Sequence, residues 1–228
     1  MQKSSTKPIL CYVTDRASLP QPQQDDPFPP LLSKIASAIA AGTDWIQIRE
    51  RNLPASSFAQ LLRAALASAL LPESASRDLQ TPRARILIND RLDVALAGNA
   101  DGVHLGENSL PVCEARRLLH NFQKPSPEFI VGVSCHSLAS AQAAELDGAA
   151  YAFFGPIFPT PSKAAFGEPQ GLQRLREVCR AVKIPVLAIG GVTAQNAAKC
   201  LDSGASGIAA IRLFQESSRL EELLQQLR

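Results

Sequence analysis

The amino-acid sequence predicts an α/β protein folded as a single (β/α)8 TIM barrel. Eight short apolar runs rich in β-strand formers alternate with longer runs rich in alanine and leucine. Continuous apolar runs of this kind indicate strands that are buried on both faces, as they are in a parallel sheet. The length of 228 residues is also close to the roughly 250 that are typical of this barrel.

The predicted strands and helices follow one another in strict alternation. A doubly wound open sheet is disfavoured because no GxGxxG motif follows the first strand, where Thr14-Asp15-Arg16 stands instead. The strands are predicted at 9–13, 45–48, 85–88, 102–104, 129–133, 150–154, 186–188 and 207–210. The helices are predicted at 31–41, 55–70, 92–97, 112–121, 138–147, 171–181, 194–203 and 216–227.

Four glycines support the count of eight units. Gly42, Gly98, Gly148 and Gly204 each follow a predicted helix and precede a strand, at separations of 56, 50 and 56 residues. Glycine is favoured there because helices often end on a residue in the left-handed conformation. One such glycine in every second unit corresponds to about 27 residues per unit, and eight units then fill the chain.

Composition excludes several classes of protein. Hydrophobic residues make up 46% of the chain and the net charge is +2, which predicts a well-formed core and no surface for nucleic acid. No apolar run approaches the ~18 residues of a membrane span. Five widely spaced cysteines and an N-terminus without signal-peptide character predict reduced thiols and a cytoplasmic protein. We expect one domain over residues 1–228, with 1–8 as a flexible N-terminus. A homo-oligomer is left open.

The position of the longest loops identifies the face on which chemistry is expected. Proline-rich loops at 17–30 and 155–169 leave the carboxyl ends of strands, which form the catalytic face of a barrel. The loop at 72–84 enters a strand, so we expect it to lie on the opposite face and to take no part in chemistry.

Basic and amide side chains end the second strand. Alternation along a strand places Gln47, Arg49 and Arg51 on one side. Two guanidiniums on the same side favour an anionic ligand, because arginine binds phosphate and carboxylate oxygens in pairs. The alternative is a barrel rim whose arginines are neutralised by Glu50.

Polar residues also end the next three strands. Asn89 and Asp90 either cap the third helix or bring Mg²⁺ to phosphates through Asp90. His104 ends the fourth strand. His136, after the fifth, is either an acid/base or a helix-cap residue, and it points away from Cys135 because adjacent strand residues face opposite sides.

The loops after strands six and seven predict phosphate binding. Thr160, Ser162 and Lys163 lie among three nearby prolines and suit a phosphate clamp. Gly190 and Gly191 allow a phosphate to approach backbone N–H groups, and Thr193 is a candidate cap for the following helix. Loops seven and eight form the usual phosphate site of such barrels. The sequence therefore predicts two anion sites, suited to a monophosphate and a diphosphate.

Seven motifs follow one another in the order of the strands and run from about residue 9 to 212. They are YVTDR (12–16), QIRER (47–51), INDR (88–91), DGVHLG (101–106), GVSCHS (132–137), FGPIFPTPSK (154–163) and IGGVT (189–193). Together they resemble the thiamine phosphate synthase family and its sibling, thiazole tautomerase.

The resemblance implies a transferase that joins hydroxymethylpyrimidine diphosphate to thiazole phosphate and releases pyrophosphate. It implies that Asp90 binds Mg²⁺, and that Arg49, Arg51, Lys163 and His136 are the catalytic candidates. By motif, the pyrimidine diphosphate would be held by Gln47, Arg49, Arg51, Asn89, Ser134 and Lys163, and the thiazole phosphate by Thr160, Ser162, Gly190 and Gly191.

Three positions depart from the synthase pattern. Ser109 stands where a carboxylate ligand of Mg²⁺ is usual, so we expect Glu107 to take that place. Arg51 replaces a lysine, and Arg212 replaces a small residue. These departures leave two alternatives: a thiazole tautomerase that uses His136 for proton transfer without metal, and a non-catalytic barrel that binds a phosphate ligand.

Overall fold

Eight parallel strands close into one barrel, as the sequence predicts. The computed structural model describes residues 7–19, 28–70, 83–121, 129–160 and 168–228. Neighbouring strands pair in chain order, and the eighth returns to pair with the first. The strands are β1 Ile9–Val13, β2 Trp45–Ile48, β3 Arg85–Asn89, β4 Gly102–Leu105, β5 Ile130–Cys135, β6 Tyr151–Phe154, β7 Val186–Ile189 and β8 Gly207–Ala210.

The helices surround this barrel and present apolar residues to it. They are α1 Pro29–Ala40, α2 Ala55–Leu70, α3 Leu92–Ala97, α4 Val112–Asn121, α5 Leu138–Leu146, α6 Gly171–Ala181, α7 Ala197–Asp202, α8 Arg212–Gln215 and α9 Leu220–Gln226. Helix α1 illustrates the pattern. It begins with two prolines, which suit the first turn, and buries Leu31, Ile35 and Ala38 on one face.

Alternation along the strands separates two cores. One set of side chains packs against the helices, and the other fills the barrel interior around Tyr151 and Phe153. Gly132 makes room for the largest of these, because a Cβ there would lie 2.1 Å from the Tyr151 ring. The interior below the site is therefore a packed layer of side chains, which leaves the carboxyl ends of the strands as the open face.

The predicted starts of two helices are corrected by the structure. The helix predicted at 216–227 begins only at Leu220, as α9, and the separate short helix α8 ends before it at Gln215. The segment between them contains Ser217 and Ser218. Serine side chains compete for backbone hydrogen bonds and disfavour helix interiors. Helix α7 begins at Ala197 rather than 194, so Thr193 does not cap it.

The glycine boundaries are confirmed at three of four positions. Gly42, Gly148 and Gly204 have positive φ, as a left-handed helix end requires. Gly98 has a φ of −96°, and Asn99 adopts the left-handed conformation instead. A Cβ on Gly98 would lie 2.3 Å from the Leu62 side chain, so close packing explains this glycine.

The expected N-terminus and loops fall partly outside the described residues. The flexible N-terminus, expected at 1–8, includes the undescribed residues 1–6, and each of the three long loops contains an undescribed stretch, at 20–27, 71–82 or 161–167. Within the described chain, no helix has the length and hydropathy to cross a membrane.

Candidate active site

A chain of hydrogen bonds joins the ends of β2, β3 and β4. The Gln47 amide is buried and donates through Nε2 to Asn89 Oδ1 at 2.9 Å. Asn89 Nδ2 then donates to Asp90 Oδ2 at 2.7 Å. Asp90 Oδ1 accepts from the Gly106 N–H at 2.9 Å and from the Ser109 hydroxyl. The amide and carboxylate side chains are thus held in fixed positions at the mouth of the barrel, which is the open face formed by the carboxyl ends of the strands.

Asn89 and Asp90 do not cap the third helix. The residue preceding α3 is Arg91, and no side chain caps that helix end. Asp90 instead adopts a φ of 60°, a left-handed conformation that aspartate tolerates better than most residues. This turn directs its carboxylate toward the loop after β4, so the capping alternative is excluded.

Arg49 and Arg51 have different environments. Arg49 is half-buried, whereas Arg51 is exposed in the following turn. Burial lowers the pKa of Arg49 and the neighbouring charge of Arg51 lowers it further. Across the described residues, no carboxylate lies within 4 Å of the Arg49 guanidinium. An anionic ligand at this position would stabilise the Arg49 charge, which burial disfavours.

Glu50 does not neutralise these arginines. Its buried carboxylate accepts the Thr14 hydroxyl at 2.6 Å and the Arg16 N–H at 3.2 Å. Its ion-pair partner is the Arg16 side chain, 3.9 Å away. Glu50 therefore fastens the loop after β1 to the end of β2, and the rim alternative for Arg49 is not supported.

Two histidines, one on β4 and one directly after β5, have different surroundings. His104 is buried, and its ring nitrogens lie 2.8 Å from the Tyr151 hydroxyl and 2.9 Å from Ser134 Oγ. His136 is half-buried, with Nδ1 hydrogen-bonded to the Gly155 carbonyl oxygen and Nε2 4.0 Å from Glu107. Because Nδ1 faces an oxygen that can only accept, Nδ1 carries the proton and the bare Nε2 lies on the side of Glu107.

His136 is not a helix cap. Ser137 caps α5, and its side chain exchanges hydrogen bonds with Ser140 in a capping box. Cys135 is buried against the outer core, so it does not share the face of His136. The helix-cap interpretation of His136 is therefore wrong, and its acid/base function stays a prediction.

The glycine pair brings the loops after β6 and β7 together. Gly190 and Gly191 have φ of 90° and 67°. A Cβ on Gly191 would lie 2.7 Å from the carbonyl oxygens of Phe158 and Pro159. The Phe158 N–H donates to the Gly190 carbonyl oxygen at 3.0 Å. These glycines therefore permit contact between the two loops as well as the approach of a ligand.

The phosphate-binding residues around this pair are described in part. The Gly191 N–H donates to no other described residue. Arg212 extends from α8 to the Thr160 hydroxyl at 3.3 Å, so this departure from the family pattern faces the predicted phosphate region. Ser162 and Lys163 lie outside the described residues.

The metal candidates face different neighbours. Asp90 belongs to the hydrogen-bond chain of β2, β3 and β4, and Glu107 lies beside His136. The described residues bring no three histidines, cysteines, aspartates or glutamates together. Metal binding by Asp90 and by Glu107 therefore stays a prediction.

Comparison with known proteins identifies the family. A sequence-family model described as thiamine monophosphate synthase matches residues 12–214. The chain belongs to this family. The putative thiamine-phosphate synthase of Geobacter sulfurreducens is 42% identical over 181 residues, covering 79% of this chain and 78% of the relative. The thiamine-phosphate synthase of Chlorobium luteolum is 38% identical over 224 residues, covering 98% and 93%.

A solved structure supports the same conclusion. Thiamine phosphate pyrophosphorylase from Pyrococcus furiosus superposes with a TM-score of 0.74 at 31% identity, covering 96% of this chain and 94% of that one. The resemblance drawn from the seven motifs is therefore confirmed, as is the predicted barrel.

In this family member, sequence reasoning missed two features of the site. It did not foresee that Glu50 fastens Thr14 and Arg16, or that Tyr151 and Ser134 flank His104. Strand alternation was the available signal for the second, because His104 and Ser134 both belong to the inward-facing set. No sequence signal marked the tyrosine, which lies 47 residues from the histidine.

Proposed function

We propose that this chain is a thiamine-phosphate synthase that joins hydroxymethylpyrimidine diphosphate to thiazole phosphate. In this reaction the bond between the pyrimidine methylene carbon and the diphosphate oxygen breaks, and its electron pair leaves with pyrophosphate. The thiazole ring nitrogen then donates its lone pair to that carbon. Relatives of about 40% identity over most of the chain carry the synthase name, and the two alternative functions are not favoured.

The observation that carries the residue assignment is the chain from Gln47 through Asn89 to Asp90, beside Arg49. Departure of pyrophosphate develops negative charge, and preorganised cations and donors stabilise such charge. Arg49 would bind the diphosphate in the half-buried position where its own charge is poorly solvated. Gln47 donates to Asn89 and keeps its carbonyl oxygen for the amino group of the pyrimidine.

The donor set at Asp90 fits a magnesium ion that is shared with the substrate. Mg²⁺ is usually bound by one or two carboxylates together with waters and substrate phosphates. Asp90 supplies one such carboxylate, and Asn89, Gly106 and Ser109 orient it. When bound, Mg²⁺ would supply charge that neutralises the departing pyrophosphate. Ser109 contributes here by holding Asp90.

The second half of the substrate pair would bind at the loops after β6 and β7. The Gly191 N–H and the Thr160 hydroxyl, with Arg212 beside it, suit the phosphate of the thiazole. By motif, Ser162 is proposed to bind the same phosphate, and Lys163 is proposed to bind the pyrimidine diphosphate. His136 and Arg51 are proposed to contact the substrates from the rim. We place the reaction in the cytoplasm, where the free thiols of this chain would stay reduced.

The reaction itself is the first test. Purified protein with both substrates and Mg²⁺ should release one pyrophosphate for each thiamine phosphate formed. Asp90→Asn should lower kcat/KM about 100-fold or more, because it removes charge at the site of pyrophosphate departure. Asparagine tolerates the left-handed backbone of residue 90, so the turn is retained.

The matched control is Asp93→Asn, which removes a carboxylate three residues away. Asp93 pairs with Arg91 at the exposed start of α3, and we expect unchanged kinetics. In calorimetric titrations with Mg²⁺ in the presence of pyrophosphate, Mg²⁺ should bind more weakly to the Asp90→Asn variant. Its affinity for the Asp93→Asn variant should be unchanged. Interconversion of a thiazole carboxylate phosphate without pyrophosphate release would overturn the proposal, and so would a protein that binds thiazole phosphate but is inert with both substrates.

A further inference from the structure

A buried chain of three polar side chains lies just below the site. The Tyr151 hydroxyl is 2.8 Å from His104 Nδ1, and His104 Nε2 is 2.9 Å from Ser134 Oγ. Tyr151 is fully buried and His104 is 2% exposed, whereas Ser134 is half-buried at the end of β5. The chain therefore runs from the packed interior to a residue that can meet substrate.

The imidazole in the middle of this chain is neutral. The His104 side chain is buried, and among the described residues no carboxylate lies within 4 Å of either ring nitrogen, so a charged imidazolium would be left without a partner. The ring also packs against Phe153, with centroids 4.2 Å apart. A neutral imidazole has one N–H donor and one bare nitrogen acceptor, so its tautomer decides the direction of both hydrogen bonds.

Tyr151 selects that tautomer. Burial raises the pKa of its hydroxyl, so the proton is retained and needs an acceptor. Among the described residues, His104 Nδ1 is the acceptor within reach of this hydroxyl. The opposite tautomer would leave the Tyr151 proton buried without a partner, which is costly. Nδ1 is therefore bare, and Nε2–H donates to Ser134 Oγ.

We propose that His104 is a positioning residue which, held by Tyr151, makes Ser134 donate its proton toward the substrate. Ser134 Oγ already accepts from the imidazole, so its own proton is directed away from His104 and into the mouth. The substrate atom opposite Ser134 must then be a hydrogen-bond acceptor, such as a diphosphate oxygen or a pyrimidine ring nitrogen. This inference rests on the proposed function, which makes Ser134 a substrate contact.

The tautomer can be measured without turnover. In ¹⁵N-labelled, ligand-free protein, the His104 ring should show a protonated Nε2 and a bare Nδ1 at neutral pH. The chain has three histidines, so the His104 signals can be assigned as the one set that disappears from the spectrum of a His104 variant. A proton on Nδ1, or a doubly protonated ring, would overturn the proposal whether or not the protein has synthase activity.

Two substitutions separate positioning from packing. His104→Gln keeps an N–H that can extend toward Ser134, whereas His104→Leu fills the space with no donor. We expect His104→Leu to raise KM for the diphosphate substrate roughly threefold to tenfold, the effect of one misdirected hydrogen bond. His104→Gln should recover most of this change. Equal losses in both variants would indicate a packing function and would contradict the proposal.

A double-mutant cycle with Ser134→Ala completes the test. If His104 acts through Ser134, His104→Leu should change KM less than twofold when the serine hydroxyl is already absent. The full effect in that background would overturn the proposal. Binding of pyrophosphate and of hydroxymethylpyrimidine, each measured separately, should identify the acceptor atom. His104→Leu should lower the affinity for whichever of the two ligands contains that atom. Unchanged binding of both ligands would also count against the proposal.

Discussion

Adjacent residues at the end of β2 face opposite sides of the barrel wall. Arg49 lies at the mouth, where burial and the charge of Arg51 lower its pKa. Glu50 is turned away from the mouth and is 7% exposed. Its carboxylate joins Thr14 and Arg16 to β2, so Glu50 holds the loop after β1, whereas Arg49 is left for the proposed ligand.

The buried carboxylate of Glu50 should make stability depend on pH. Burial raises its pKa above the ordinary value of 4.5, and the hydrogen bonds from Thr14 and Arg16 only partly oppose this. The native state then binds the proton more tightly than the unfolded chain. Its stabilising contribution is complete below pH 4.5 and is lost as pH rises through the raised pKa.

Glu50→Gln should remove that dependence, because glutamine stays neutral. The variant should therefore gain stability relative to the wild type as the pH is raised from 4.5, measured by urea unfolding at several pH values. Glu50→Ala should lose about 1–3 kcal/mol, because buried donors of Thr14 and Arg16 lose their acceptor. Glu222→Gln, at an exposed ion pair, controls for the loss of one carboxylate. Parallel pH profiles for wild type and Glu50→Gln would contradict this account.

At the scale of elements, the loops after β6 and β7 form one unit. The Ile157 and Phe158 N–H groups donate to the carbonyl oxygens of Ile189 and Gly190 at 2.9 and 3.0 Å. The Asn196 side chain fixes the loop after β7, because it donates to the Gly191 carbonyl oxygen and accepts from the Thr193 N–H. Gly190 and Gly191 are thus positioned by contacts between the two loops and with Asn196.

Gly191→Ala should disturb this unit. The new Cβ would lie 2.7 Å from two carbonyl oxygens of the other loop, in addition to the cost of a positive φ. We expect KM for thiazole phosphate to rise at least fivefold, on the order of 1 kcal/mol of lost binding. Gly171→Ala is the matched control, since Gly171 has a φ of 72° and no atom within 4 Å of the new Cβ. Steady-state kinetics should separate the two variants, and equal KM values would refute the proposed collision.

At the scale of the whole molecule, closure of the barrel determines which thiols can react. Cys11, Cys135 and Cys200 are buried, Cys179 is half-buried, and Cys113 on α4 is exposed. Burial raises the pKa of Cys135, Cys179 and Cys200 to about 11, and that of Cys11 is also raised. Thiolates react, and thiols that are buried and protonated do not.

The native protein should therefore react quickly with Ellman's reagent at one thiol of its five. Unfolding in urea should expose all of them in a single transition, because the inner and outer cores share the same eight strands. Cys113→Ser should abolish the fast phase. Fast reaction of two or more thiols in the folded protein would indicate a barrel that opens locally.

Much of the fold could be predicted because its signals are local. Strand and helix type depend on the period of apolar residues within a short window, and the predicted strands agree with the structure to within two residues. The errors had two causes. Gly98 is required by packing against the Leu62 side chain, whereas the last predicted helix begins at Leu220 rather than 216, after Ser217 and Ser218.

The sequence by itself determined the barrel and the family, and it predicted which side chains form the site. The tertiary structure decided how those side chains pair: Asn89 between Gln47 and Asp90, Glu50 with Thr14, and His104 between Tyr151 and Ser134. Most of these pairs are separated by 30 or more residues along the chain. Their contact depends on the register and closure of eight strands, which no local pattern of residues encodes.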